Sequence, residues 1–186
     1  MKILEQGVAA LLLVVLLPFM LLIAVAVKLS SPGPVLFVQK RIGKDGKPFL
    51  IYKFRTMEVG AESRGKQTVP DDPRVTAVGR FLRKYHLDEW PQLWNVIIDD
   101  MSLVGPRPQV AEYFAGYKHL ANYRLYISVR PGIAGLSSVR GQLWVLRAGK
   151  RSQLRVEAFY VTHRCFCLIL RIIRDTTRIM FAGKSI

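Results

Sequence analysis

The residues best suited to chemistry lie in the run Arg83-Lys84-Tyr85-His86-Leu87-Asp88-Glu89-Trp90-Pro91. An ionised aspartate set among cations can attack phosphorus. An adjacent glutamate can hold a divalent cation such as Mg2+, whose hard charge suits carboxylate and phosphate oxygens. Cations are on hand: Arg83 stands five residues before Asp88, Lys53 and Arg55 share one β-prone run, and Arg107 sits between Pro106 and Pro108. The planar fork of arginine fits phosphate bidentately, and flanking prolines reduce the freedom that binding would freeze. A plainer reading uses the same residues: Asp88 as a helix N-cap, Glu89 as a first-turn acid, Pro91 within the first turn, and each cation as a solvated surface charge. Asp99-Asp100 is a second acid pair, but it precedes a Met-Ser turn and reads as helix termination.

To position these groups, the sequence predicts helices over 75–86 and 88–98. Asp88 would then stand at a helix N-terminus, where the dipole favours a charged carboxylate and free amides suit a phosphate. Lys53 and Arg55 fall on a hairpin, VLFVQKRI and FLIYKFRT, joined by Gly43 to Pro48. A polar loop follows over 58–74, with Pro70 and Pro73. Within it, residues 60–67 nearly match a phosphate-binding P-loop, but Gln67 replaces the required Ser or Thr and prolines follow at once, so a loop is expected. A helix is expected over 109–128 and a turn at Pro131-Gly132. The segment 154–181 reads as a last amphipathic helix, with Arg164, Arg171 and Arg178 seven apart and Arg174 beside them, suited to an anionic membrane surface or to packing on a soluble core.

The chain has 186 residues, 51% of them hydrophobic, and a net charge of +15, which excludes disorder and asks for an anionic partner. Val8 to Val27 carries no charge over 20 residues, long enough to cross a bilayer. Lys28, Lys40 and Arg41 beyond it place the body in the cytoplasm by the positive-inside rule. Pro18 should kink the run near Leu17. A tilted span and a bent helix that returns to the same face both fit the hydropathy. Cys165 and Cys167 are expected to be apolar packing residues, and the three histidines lack metal-ligand spacing.

Four strings then stand in register: Lys53-Phe54-Arg55-Thr56-Met57, Leu87 to Val96, Met101 to Pro108, and Arg130-Pro131-Gly132-Ile133. With the proline-interrupted N-terminal helix, they resemble the small monotopic phosphoglycosyl transferases, the bacterial sugar transferase family. The resemblance implies an α+β, mostly helical fold, with residues 1–29 as a re-entrant membrane helix broken near Pro18. Residues 30–186 would form a catalytic domain on the cytoplasmic face of the bacterial inner membrane, with amphipathic interfacial helices.

It also implies transfer of a sugar-1-phosphate from a UDP-sugar to polyprenyl (undecaprenyl) phosphate, with release of UMP. That is a first membrane step of capsule, lipopolysaccharide or exopolysaccharide synthesis. On this resemblance Asp88 is the nucleophile that carries the phosphosugar, and Glu89 is the acid associated with Mg2+. Lys53, Arg55, Arg83, Arg107 and Arg130 are basic positions for substrate phosphates, with Pro18, Pro106 and Pro108 in structural roles. Members often continue the last string as Thr-Gly-Leu-Trp-Gln-Val, whereas this chain has Ala134-Gly135-Leu136-Ser137-Ser138-Val139. An Asp-x-x-Tyr element appears here as Glu157-Ala158-Phe159-Tyr160, and Ile169 replaces a later Asp. The alternative class is a non-catalytic membrane adaptor that binds anionic lipid. Nucleic acid is not an expected partner, since no recognisable motif accompanies the charge. Self-association into a homo-oligomer stays open.

Overall fold

The uncharged N-terminal run folds as α1 (Lys2–Ser30), 29 residues and about 43 Å long. The structure, a computed structural model, describes residues 2–64, 72–112, 116, 118–139 and 142–182. The helix continues through Pro18. Ala9, Leu13, Leu16, Met20, Ile23, Ala24 and Val27 recur at helical spacing and pack against the rest of the chain. The remaining faces expose Leu11, Val14, Leu17, Phe19, Leu22 and Val25, and by length and composition the helix could cross a membrane.

The expected hairpin forms. β1 (Leu36–Ile42) pairs antiparallel with β2 (Pro48–Phe54), from Leu36 opposite Phe54 to Ile42 opposite Pro48. Asp45 and Gly46 take left-handed backbone at the turn. Ile51 of β2 packs with Ala9 of α1 and with Leu93, Val96 and Met101 in one core cluster. The next helix, α2 (Ala77–Lys84), starts at Thr76, whose Oγ1 accepts the Gly79 N–H at 2.9 Å. Only glycine fits at 79, because a Cβ there would stand 2.0 Å from the Thr56 carbonyl oxygen.

The helix expected over 88–98 divides into a 3₁₀ turn, Leu87–Glu89, and α3 (Gln92–Ile97). Pro91 has no N–H, and the bonds around it step back three residues: Trp90 to Leu87, Leu93 to Trp90, Trp94 to Pro91. Asp88 therefore lies inside a tight turn and is not an N-cap. Beyond it, β3 (Ser102–Val104) pairs in parallel with β4 (Gly132–Ala134).

Between those strands the long helix expected over 109–128 does not form. The Ile42 N–H donates to the Gln109 carbonyl at 3.0 Å and Val110 bridges Arg41, which draws this stretch onto the edge of β1. Asn122 is left-handed, and only α4 (Tyr123–Ile127) is α-helical among the described residues of that stretch. Residues 113–115 and 117 of the expected helix, and residues 65–71 of the expected loop, lie outside the described residues.

The chain ends in α5 (Leu136–Val139), α6 (Gln142–Thr162) and α7 (Phe166–Ala182). The single helix expected over 154–181 is thus broken at His163–Cys165. Thr162 Oγ1 donates to the Ala158 and Phe159 carbonyls at 3.0 and 3.2 Å, and Cys165 Sγ accepts the Leu168 N–H at 3.3 Å. Cys165 and Cys167 are exposed, so the packing role expected for them is not realised. Val104, Tyr160 and Ile172 join α6 and α7 to β3. The fold is mostly helical with a small two-stranded hairpin and one apolar N-terminal helix.

Candidate active site

The chemistry-bearing residues converge because β2, α2 and the loop after β3 meet at the 3₁₀ turn. Lys53 lies on the β2 face that meets the turn, and its Nζ donates to Glu89 Oε1 at 2.6 Å. Arg107, on the loop after β3, brings Nη2 to the same oxygen at 3.4 Å. Arg83 projects from the last turn of α2, where Thr56 Oγ1 accepts its Nε–H at 2.8 Å. These side chains, with Asp88 and His86, line a cleft of about 650 Å³.

Asp88 is 8% exposed. Among the described residues its carboxylate takes no hydrogen bond and no ion pair, although it lines the cleft. Burial pushes this carboxyl above its ordinary range, and the opposing charges of Lys53 and Arg83 do not fully offset that. Because Asp88 lies within the 3₁₀ turn and not at a helix N-terminus, burial in place of the expected helix dipole dominates, and the nearby cations supply the compensation. Glu89 goes the other way. Burial pushes it up as well, but Lys53 and Arg107 overcome burial and hold the carboxyl well below the usual carboxylate range. Burial also lowers the Lys53 ammonium, with Glu89 and Asp88 working against the shift. The two adjacent acids therefore differ: one is ion-paired and firmly charged, the other is uncommitted and more basic.

Both cations of Glu89 engage Oε1, which leaves Oε2 uncommitted among the described residues. No cluster of three or more metal-ligating side chains exists among them. A site of this kind suits a cation that takes one or two carboxylates and completes its shell with phosphate oxygens, as Mg2+ does.

Two basic residues are placed differently from the rest. Arg55 borders the cleft, but its fork closes the C-terminal end of α1, with Nη1 donating to the Pro32 carbonyl at 2.9 Å. Its Nη2 donates to Val27 O, Ser31 O and Ser31 Oγ at 3.3, 2.7 and 2.9 Å. Arg130 does not reach the cleft. It bonds Asp99 and approaches Glu5 Oε2 at 3.4 Å, beside the first turn of α1.

Sequence reasoning gave no role to two residues that set this geometry. Thr56 orients Arg83. Asn95 is fully buried, accepts the Tyr52 N–H at 3.2 Å and donates to the Leu50 carbonyl at 2.7 Å, locking the strand of Lys53 to the helix that follows Asp88. The signal was a polar residue within the apolar run LWNVI.

The family model described as bacterial sugar transferase matches residues 1–183. A UDP-glucose:undecaprenyl-phosphate glucose-1-phosphate transferase of Escherichia coli (strain K12) is 44% identical over 151 residues, 80% of this chain and 32% of the relative. A protein of the same name from Klebsiella pneumoniae is 41% identical over 183 residues, 96% of this chain and 39% of the relative. The exopolysaccharide production protein PSS of Rhizobium leguminosarum bv. phaseoli is 41% identical over 176 residues, 88% of this chain and 86% of that protein. The chain thus spans well under half the length of the first two and most of the third.

Proposed function

The chain belongs to the bacterial sugar transferase family, and from that premise we propose that it transfers a sugar-1-phosphate from a UDP-sugar to polyprenyl phosphate at the membrane surface. One observation carries the reading: the uncommitted Asp88 carboxylate faces the cleft that Lys53, Arg83 and Arg107 also line. Asp88 attacks the phosphorus that bears the sugar. The bond from that phosphorus to the bridging oxygen of the diphosphate breaks, UMP leaves, and an acyl phosphosugar forms on Asp88. A phosphate oxygen of the polyprenyl carrier then attacks the same phosphorus, the bond to Asp88 breaks, and the carboxylate is regenerated.

Lys53, Arg83 and Arg107 offset the charge of the phosphates, and Lys53 and Arg83 favour the ionised form of Asp88 against its burial. Glu89 would hold Mg2+, which would supply charge neutralisation at the diphosphate. Arg55 and Arg130 act at a distance, fixing the two ends of α1.

That fixing bears on topology. The first turn of α1 is tied to the body by Gln6 Nε2 donating to the Ile97 carbonyl at 2.8 Å and by the Glu5–Arg130 pair. Its last turn is tied to the same body by Arg55. A helix held at both ends by one domain supports an arrangement in which α1 enters and leaves the bilayer by the cytoplasmic face, its outward Leu, Val and Phe side chains among lipid. The exposed apolar side chains of α7, Phe166, Leu170 and Ile173, would rest at the interface.

The deciding experiment incubates the purified full chain, in lipid nanodiscs with Mg2+, with polyprenyl phosphate and a panel of UDP-sugars that includes UDP-glucose and UDP-N-acetylgalactosamine. UMP release that needs both substrates is expected. Folded protein that releases no UMP from any donor would contradict the proposal.

A further inference from the structure

Arg107 reaches the site from a loop whose peptide groups are pinned one after another. The Pro106 carbonyl accepts the Gly132 N–H at 2.9 Å, and the Pro108 carbonyl accepts Arg41 Nη1–H at 3.1 Å. The Arg107 peptide itself is held from both sides. Its carbonyl accepts the Tyr126 hydroxyl at 2.8 Å, and its N–H donates to Glu157 Oε1 at 3.3 Å. The same Glu157 oxygen also accepts the Ser137 hydroxyl. Glu157 is 2% exposed, and its other oxygen is buried without a partner.

A buried carboxyl with one unsatisfied oxygen is costly to keep. Nothing in the transfer chemistry touches it, and its directed contacts run to Ser137 and to the residue whose guanidinium faces Glu89. We infer that Glu157, opposed by Tyr126, is a positioning residue for the transfer proposed above, on which this inference rests: it holds the Arg107 backbone so that the guanidinium stays aimed at the phosphate site.

Ser137 supplies the second donor to Glu157. The groups that face Glu157 are Ser137 from α5, the Arg107 amide and guanidinium from the loop, and Tyr160 on its own helix. Burial pushes the Glu157 carboxyl up to about 7, against those donors and the Arg107 charge. The charged form accepts two hydrogen bonds more strongly than the neutral form, so the grip on Arg107 loosens as pH falls through neutrality.

The test uses the full chain in nanodiscs and a double-mutant cycle read by UMP release. Glu157→Gln is expected to lower kcat/KM about tenfold at pH 8, to lessen the fall in rate through neutrality while any limb that belongs to Asp88 remains, and to have less than a twofold effect in the Arg107→Ala background. An equal loss in both backgrounds, or a pH profile that the substitution leaves unchanged, overturns the inference. If Glu157→Gln does not fold, Tyr126→Phe loosens the same peptide from its other side. It should cost about fivefold in the wild-type background and nothing in Arg107→Ala. Equal losses in both backgrounds again overturn the inference.

If the wild-type chain releases no UMP, the transferase reading fails, and amide hydrogen exchange judges the clamp separately. Exchange at the Arg107 amide should be about tenfold faster in Glu157→Gln or in Ser137→Ala. Unchanged exchange in both overturns the inference.

Discussion

Arg107 and Arg130 are near twins in the sequence, each beside a proline in a short loop, yet the structure gives them opposite work. Arg130 ends in a closed cluster at the foot of α1. It engages Asp99 and Glu5, Lys2 engages Asp99 at 2.5 Å, Ser102 donates to Glu5 at 2.7 Å, and Arg164 approaches Glu5 at 3.6 Å. Every acid there is matched within the protein. Arg107 reaches Glu89 and lines the same cleft as Asp88, whose carboxylate oxygens are uncommitted among the described residues. Compensated charge builds structure; charge left facing a cavity is available for a ligand.

The contrast can be broken most directly at Asp88. Asp88→Asn should lower UMP release by about four orders of magnitude, in line with loss of a nucleophile, while the chain remains folded and membrane-bound. An active Asp88→Asn chain would remove the distinction between the two regions. Next comes the pair itself. Arg107→Ala should reduce kcat/KM by about 10²- to 10³-fold with little change in thermal midpoint. Arg130→Ala should cost about 1 kcal/mol in stability, since it removes the cation that Glu5 and Asp99 share while Lys2, Ser102 and Arg164 remain on them, with turnover per folded molecule nearly unchanged. Calorimetry and UMP release on the same samples separate the two, and reversed outcomes would exchange their roles.

How much of this was legible beforehand follows the same division. The hairpin, α1 and α2 could be read because their signals are local: β-prone runs around a glycine turn, an uncharged run of helical length, and Thr76 in capping position. The cluster Lys53, Arg83, Asp88, Glu89 and Arg107 could be proposed from charge and spacing. Whether Arg55 and Arg130 joined it could not, because their partners, Ser31 and Pro32 for one and Glu5 for the other, are 23 to 125 residues away. The helix expected over 109–128 failed for a related reason: pairing of Val110 with Arg41 is a long-range event that outweighs local helix propensity. The division at Pro91 has a local cause, a residue without an N–H inside the expected helix.

A third prediction tests the support of the cleft. Gly79→Ala should destabilise the chain by about 1–3 kcal/mol, because the added Cβ meets the Thr56 carbonyl, and it should raise KM by displacing the Thr56 hydroxyl that orients Arg83. Urea denaturation and steady-state kinetics would show both effects; a neutral outcome would mean that the α2 packing does not control Arg83.

The smallest expected effect is in pH dependence. In the proposed transfer Asp88 attacks as the carboxylate; burial raises its folded value, and Lys53 opposes that rise. The acid limb of kcat/KM therefore lies above the ordinary carboxylate range, and it should move further up in Lys53→Met. For stability, Glu89 has the opposite sign. Its folded carboxyl is held below the unfolded value near 4.3, so its contribution is full above that pH and is lost as pH falls through the acid range. Glu89→Gln should erase that acid-range loss in a pH series of urea melts.

The central claim is that Asp88 forms a bond to phosphorus, and mass spectrometry of the intact protein reads this directly. The full chain, incubated with Mg2+ and the UDP-sugar that supports UMP release but without polyprenyl phosphate, should gain the mass of one phosphosugar, and Asp88→Asn should gain none. An adduct of the same mass on Asp88→Asn, or its absence from a wild-type chain that turns over, would contradict the account.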